Sequence, residues 1–317
     1  MPTSRIVVVG SYATGLTMKV SRLPSPGETV LASGYRVDYG GKGSNQAVGC
    51  ARLGADVRFV ARVGCDSFGE MALRLYREEG IDAAFVRETA QHPTGVGFIL
   101  VEAGTGNNSI AIDPGANDLL SAADVAKCDA AFENAAAVLT QLEIPAETAE
   151  AALARGRAHR AITILNPAPV RPLPKSVLQL VDVLTPNRSE AKVLTGRSPR
   201  AQAAPEEVAS DLIRAGVKNV VMTLGEQGAL VVTQSRAKRI SAIHVTAVDS
   251  TGAGDAFNAG LATALAFGES LESAVEFAVI TGGLAVTKEG VIPALPKREA
   301  VIKFCESRGI KPPFGSV

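Results

Sequence analysis

Cysteine and histidine are scarce in this chain: Cys50, Cys65, Cys128 and Cys305, with His92, His159 and His244, are scattered over 317 residues. No CxxC pair occurs and the histidines lie far apart. A zinc site is therefore excluded, and the cysteines read as buried free thiols. Surplus charge is also missing, since Lys plus Arg and Asp plus Glu both total 32. That balance argues against nucleic acid or an anionic membrane as the main partner and leaves a small molecule. No apolar run is long enough to cross a bilayer, and Arg5 before a short apolar run is too little for a signal peptide. A soluble, cytoplasmic protein is expected. With no Gly/Ser linker, low-complexity tract or internal repeat to divide it, the chain reads as one domain over residues 1–317.

What is present is alternation of strand and helix patterns. IVVVG (6–10) is a buried-strand run, NQAVGCARL (45–53) places apolar residues at helical spacing, and VRFVARVG (57–64) is again a strand. From Glu143 onward the order is helix AETAEAALARGRA, strand AITILN, helix near PKSVLQLV, strand DVLTPN, helix RSEAKVLTG, helix PEEVASDLIRAG and strand NVVMTLG. Such alternation predicts an α/β, Rossmann-like fold: a central, mostly parallel sheet flanked by helices. Two stretches break the rhythm. TVLASGYRVDYGG (29–41) and GVGFILVEAGTGNNSIAID (95–113) are β-rich, the second turning at Gly104 to Asn108. They are expected to form a small sheet beside the main one, a lid built from about 12–39 and 94–114.

Three segments carry the chemistry. GSYATGLT (10–17) follows the first strand like a phosphate-binding GxxxxGKS/T loop, but Leu16 stands where that loop needs lysine. In VDSTGAGDAF (248–257), strand-like IHVTAV runs into small residues and then into the helix pattern AFNAGLATALAF. Gly252, Ala253 and Gly254 would present N–H groups at a helix N-terminus, a site that attracts phosphate. Asp255 in the first turn would repel that anion unless it had other work, such as acting as a general base. A tight turn with Asp255 as ordinary N-terminal cap is the other reading. In YGGKGSNQA (39–47), glycines before a helix let a ligand approach the backbone, and Lys42 and Asn45 add polar groups on the same side.

The last two of these segments, with PSPGETV, VGCDSFG, TGVGFILV, QLEIP, LNPAPV, TPNRSEAKVLTG, TLGEQG and LAVTKEG in order, resemble the ribokinase branch of the ribokinase/phosphofructokinase B carbohydrate kinases over essentially the whole chain. The resemblance implies a ribokinase fold with a β-sheet lid, ATP-dependent phosphorylation of a sugar hydroxymethyl group and a homodimer formed through the lids. It makes Asp255 the general base and Gly252, Ala253 and Gly254 the anion hole. Gly41, Lys42, Gly43, Asn45 and Glu143 would line the sugar pocket together with Asp255. Asn187, Thr223, Gly225, Gly228 and Gly254 would hold ATP, and Glu190 would act on Mg2+ through water. K+ would sit against Asp249, Thr251, Ala285, Lys288 and Gly290, although Ala294 replaces the serine often found beside it. Asn187 as a plain helix cap and TLGEQGAL as a plain strand–turn–strand are the alternatives.

The opening stretch departs from the family. Its GSxNxD pattern places Asn and Asp where this chain has Ala13 and Gly15, so two sugar-binding side chains are gone. Ribose is then held through other groups, with Tyr12 and Thr14 as candidate hydroxyls, or the acceptor is a ketose, a deoxy sugar or another relative. A nucleoside kinase of the same superfamily is an alternative, weakened because aromatics are only 4% of the chain. A non-catalytic sugar sensor is another, weakened by the intact GAGD run.

Overall fold

The computed structural model describes residues 4–310, so the ends of the expected 1–317 domain, 1–3 and 311–317, lie outside the described residues. Two sheets share the strands. The first holds β1 (Arg5–Val9), β4 (Asp56–Gly64), β5 (Val86–Thr89), β8 (Ala137–Thr140), β9 (Ile162–Leu165), β10 (Val183–Leu184), β11 (Asn219–Thr223), β12 (Ala229–Val232) and β13 (Ala237–Ile240). The second holds β2 (Ala13–Val20), β3 (Ala32–Gly40), β6 (Gly95–Glu102) and β7 (Asn108–Asp113). The helices are α1 (Lys42–Arg52), α2 (Ser67–Glu78), α3 (Ala122–Lys127), α4 (Asp129–Phe132), α5 (Ala146–Ala158), α6 (Lys175–Leu178), α7 (Arg188–Leu194), α8 (Pro205–Ala215), α9 (Ala253–Ala266), α10 (Leu271–Ala285) and α11 (Arg298–Ser307). None of them is long and apolar enough to cross a membrane.

The strand order of the large sheet is β13-β12-β11-β10-β9-β8-β1-β4-β5. All neighbours are parallel except β11–β12 and β12–β13. Helices on both faces turn its Val/Ile/Leu strands into two cores, one on each side, because a parallel sheet must be covered twice. The chain leaves β1 in one direction, through β4 and β5, and returns on the other side at β8. That reversal opens a crevice beyond the carboxyl ends of β1 and β8, where such sheets hold their ligands.

Three expectations need correction. IHVTAV (243–248) is not a strand. Ile243 packs beneath Gly283 of α10, whereas Val248 is exposed and its N–H bonds Val286 O at 2.7 Å outside any strand ladder. The helix around 174–181 is only the single turn α6, since Pro174 and the short β10 leave little chain for it. Cys65 is exposed, unlike Cys50, Cys128 and Cys305, because it sits in the turn between β4 and α2 rather than beneath an element.

The second sheet runs β3-β2-β6-β7. It is fed by the segment after β1, returns into α1, and is anchored at β6 by Asp66. That carboxylate caps α2 through Gly69 N–H at 2.8 Å and also accepts Thr94 N–H and Thr94 Oγ1–H, both at 2.7 Å. Burial pushes its pKa up, but the bonds from Thr94 and Gly69 outweigh that and hold it below the usual aspartate range.

Candidate active site

The glycines of GGKG are demanded first by packing. Gly41 has φ +86°, and a Cβ there would lie 2.7 Å from Tyr12 Cα. A Cβ at Gly43 would meet Ser11 N at 2.4 Å. The start of α1 is thus pressed against the chain leaving β1, with Ser44 N–H bonding Ser11 O at 2.8 Å. The missing side chains of Gly41 and Gly43 thus make room for Gly10 to Ala13 on one side of the turn. Helix α1 begins at Lys42, earlier than the apolar spacing suggested.

Two helices converge on Asp255. On α1, Asn45 Nδ2 donates to Asp255 Oδ2 and Gln46 Nε2 to Asp255 Oδ1, both at 2.9 Å. One turn further along each helix, Gly49 faces Ala259, where a Cβ on Gly49 would approach Ala259 Cβ to 2.6 Å. The missing methyl lets α1 and α9 close up, and that spacing brings the two amides within reach of the carboxylate. Asp255 is buried, its plane fixed by one neutral donor on each oxygen.

Behind Asp255 runs an amide network that sequence reading missed. Gln141 Nε2 donates to Gln46 Oε1 at 2.6 Å, and Gln46 Nε2 also reaches Asn166 Oδ1 at 3.1 Å. Thr185 Oγ1 donates to Asn258 Oδ1 at 2.6 Å, and Asn258 Nδ2 to Gly254 O at 2.8 Å. Gln141, Asn166 and Thr185 each directly follow a strand, a polar residue at a strand's carboxyl end being the signal available for them. Ser11 was also missed. Its hydroxyl donates to Glu143 Oε2 at 2.6 Å, and Lys42 N–H bonds the same oxygen at 2.8 Å. Lys42 has its pKa raised by the Asp255 charge; burial opposes this, and the Glu143 and Glu190 charges add to it. One cation thus lies within the field of three carboxylates. Asn45 Oδ1 is buried without a hydrogen-bond partner.

Gly252 takes φ +78° as the N-cap of α9, so the turn before Asp255 needs glycine there. Ala253 N–H bonds back to Ser250 O at 3.2 Å. A Cβ at Gly254 would meet nothing within 4 Å, so the protein leaves open space over this residue. Beside the turn, Asp249 Oδ1 accepts Thr251 N–H and Oγ1–H at 2.9 and 2.6 Å, and Asp249 Oδ2 accepts Gly290 N–H at 3.0 Å. Burial raises the Asp249 pKa, and these bonds more than reverse it. The loop 248–251 therefore lies against 285–290, bringing Asp249, Thr251 and Gly290 together, with Ala285 and Lys288 on the same connection. Ala294 is buried.

Asn187 and Glu190 stand at the start of α7 as a capping box: Asn187 Oδ1 accepts Glu190 N–H at 2.9 Å, and Glu190 Oε2 accepts Asn187 N–H at 2.8 Å. The helix-cap alternative is realised here. Burial raises the Glu190 pKa, with the Lys42 charge opposing it. Asn187 and Thr223 form a parallel bridge, so the ends of β10 and β11 bring them side by side. Gly225 and Gly228 bound the turn between β11 and β12, realising the strand–turn–strand alternative for TLGEQGAL. A Cβ at Gly228 would lie 2.0 Å from Ile240 O, whereas at Gly225 it would meet nothing.

Ala13 and Gly15 lie on β2. The candidate replacement hydroxyls do not join them. Tyr12 and Thr14 are fully buried and bond to one another at 3.2 Å, and burial pushes the Tyr12 phenol up to about 12. This expectation is corrected: alternation along the strand turns Thr14 to the face opposite Ala13 and Gly15.

Residues 3–298 match the pfkB family carbohydrate kinase. The chain is 36% identical over 301 residues to the ribokinase of Haemophilus influenzae, covering 95% of this chain and 98% of that one. It is 34% identical over 295 residues to the deoxyribokinase of Salmonella typhimurium, covering 93% and 96%. The structure of Arabidopsis thaliana ribokinase complexed with ribose and ATP superposes with a TM-score of 0.87 at 32% identity, over 96% of this chain and 98% of that one. A family model over nearly the whole chain and relatives matched over nearly their full length thus agree with the fold just described, and the chain belongs to the pfkB family of carbohydrate kinases.

Proposed function

We infer that the protein is an ATP-dependent kinase of a small sugar, ribose or a relative of it, working as one domain with the second sheet as lid. The observation that carries this reading is Asp255, buried at the N-terminus of α9 and clamped by Asn45 and Gln46. Asp255 accepts the proton of the sugar's hydroxymethyl group as its oxygen bonds to the γ-phosphorus of ATP. The bond from that phosphorus to the bridging oxygen breaks, and ADP leaves. N–H groups of the Gly252–Gly254 turn hold the charge on the transferring group, Gly252 and Gly254 foremost because Ala253 N–H is directed to Ser250 O. The buried, unpartnered Asn45 Oδ1 suits a sugar hydroxyl as donor. Lys42, Glu143 and the Gly41–Gly43 turn complete the pocket wall, and Asn187, Thr223, Gly225 and Gly228 border the nucleotide.

Two cations suit the donors present. Asp249 and Thr251, with the backbone of Ala285, Lys288 and Gly290, offer oxygen ligands without nitrogen or sulfur, the chemistry of a hard cation such as K+. Glu190, half-buried and within the field of Lys42, would hold Mg2+ through water, and Mg2+ when bound would neutralise charge on the ATP phosphates. Among the described residues, Leu31, Tyr35, Val37, Phe98, Ile110 and Ile112 make up most of the exposed large apolar side chains. All lie on or beside the second sheet, which favours a homodimer formed there.

The test is ADP release with ribose, deoxyribose, fructose and small polyols. Asp255→Asn keeps the shape and the fold and is expected to lower kcat by about 10²–10⁴-fold or more. Unchanged turnover in that variant would sink the reading.

A further inference from the structure

One row of the lid sheet has a composition of its own. Asp38 of β3, Gly15 of β2, Gly97 of β6 and Ile112 of β7 stand in register across all four strands, and residues in register share a face. The middle of the row is bare backbone. A Cβ at Gly97 would meet nothing within 4 Å, and one at Gly15 would make only ordinary contacts, 3.6 Å to Ile99 Cδ1 and 3.8 Å to Asp38 Cβ. Neither glycine is forced by crowding. The row is a trough with a carboxylate at one end and an exposed isoleucine at the other.

The face looks towards the start of α9. Arg36, two residues before Asp38 and so on the same face, reaches Glu289 Oε1 at 2.9 Å. Glu289 precedes Gly290, whose N–H bonds Asp249, and the Arg36 charge helps lower the Asp249 pKa. Asp38 is not consumed by that arrangement: Arg36 Nε lies 3.4 Å from it and the side chain is 45% exposed. Since Tyr12 and Thr14 are buried on the other face, Asp38 is the polar side chain of this row.

We propose that Asp38 is a specificity-determining residue, the lid carboxylate that accepts hydrogen bonds from hydroxyls of the sugar lying over Gly15 and Gly97. This rests on the sugar-kinase reading above. Gly15 leaves the space that lets the carboxylate come from the neighbouring strand instead of from β2.

The experiment measures kcat and KM with D-ribose and its 1-, 2- and 3-deoxy analogues for the unmodified chain, Asp38→Ala, Gly15→Asp and the double variant. Losing a charged acceptor lowers kcat/KM for the best of these sugars by about 10- to 100-fold in Asp38→Ala, mostly through KM. The KM for ATP stays put. The decisive readout is discrimination: at least one hydroxyl whose removal is costly in the unmodified chain becomes indifferent in Asp38→Ala. Gly15→Asp alone weakens sugar binding, because two carboxylates then share one site, and Gly15→Asp restores hydroxyl discrimination in the Asp38→Ala background. If Asp38→Ala lowers all four sugars by one factor and keeps their ratios, Asp38 only supports Arg36 and the proposal is wrong. If the unmodified chain turns over none of the sugars tested, here or in the wider panel, the sugar-kinase reading itself fails and the proposal falls with it.

Discussion

Gly49→Ala should damage catalysis without touching any group that meets a ligand. The new Cβ would start 2.6 Å from Ala259 Cβ, against an ordinary carbon–carbon separation of about 3.6 Å. Ala259 Cβ is fixed to its backbone and cannot rotate away, so α1 and α9 must part by about 1 Å. Asn45 and Gln46 sit one turn back on α1, and their 2.9 Å bonds to Asp255 would stretch towards about 3.9 Å, beyond hydrogen-bond range. Misplacing a reacting group by about 1 Å costs on the order of 10²-fold in rate. Overpacking costs about 1–3 kcal/mol of stability besides. A control separates the two effects. Gly156→Ala on α5 crowds the side chain of Val138 at 2.8 Å, in the core on the other face of the sheet from α9. Thermal unfolding should fall by a few degrees in both variants, while kcat for the best sugar falls only in Gly49→Ala. If Gly49→Ala keeps kcat within about threefold of the unmodified chain, helix spacing does not position Asp255, and that part of the reasoning is wrong.

Asp66→Ala should cost about 1–2 kcal/mol at neutral pH, since the carboxylate caps α2 and holds Thr94. Its folded pKa is depressed, so this contribution is present above the ordinary aspartate value of about 3.9 and is lost as pH falls through the folded value; Tm curves of the two proteins should converge there. Asn187→Ala removes a capping box and should lower stability by about 1 kcal/mol; if Asn187 also borders ATP, the KM for ATP rises while that for sugar does not. A thiol reagent should label one cysteine quickly in the native protein, Cys65, and Cys50 last, as burial pushes its thiol up to about 12; fast labelling of more than one would contradict the packing.

The regular part of the large sheet was legible because each element carried its own period. AETAEAALARGRA is α5 residue for residue, VRFVARVG lies within β4, and the first five residues of NVVMTLG are β11, both strands mostly buried. Elements defined by their neighbours were not. AKRI becomes β13 although three of its four residues are exposed, because β12 offers it an edge. IHVTAV, far more strand-like, pairs with no strand and stays irregular, Val248 N–H bonding Val286 O beyond the end of α10 instead. Local propensity proposes a strand, but a ladder needs a partner, and partners are a property of the whole chain.

The site shows the same division. Gly252–Asp255, Gly41–Asn45 and Asn187–Glu190 could be read because helix N-termini have their own vocabulary of glycines and short polar residues. Gln46, Gln141 and Asn166 could not be read that way, since each is a single polar residue whose partner lies about 95 to 209 positions away. Their joint effect is directional. Gln141 donates to Gln46 Oε1, which commits the other end of that amide, with both its hydrogens, to Asn166 and Asp255. Gln141 is therefore able to orient Asp255 without touching it, through one flip-locked amide. Asp38 was illegible for a related reason. Along the sequence it stands 23 positions from Gly15, and only the antiparallel register of β2 and β3 makes the two neighbours. A position that looks emptied when one strand is read alone can be furnished from the next strand over, because in a sheet the pocket wall is composed across strands, not along them.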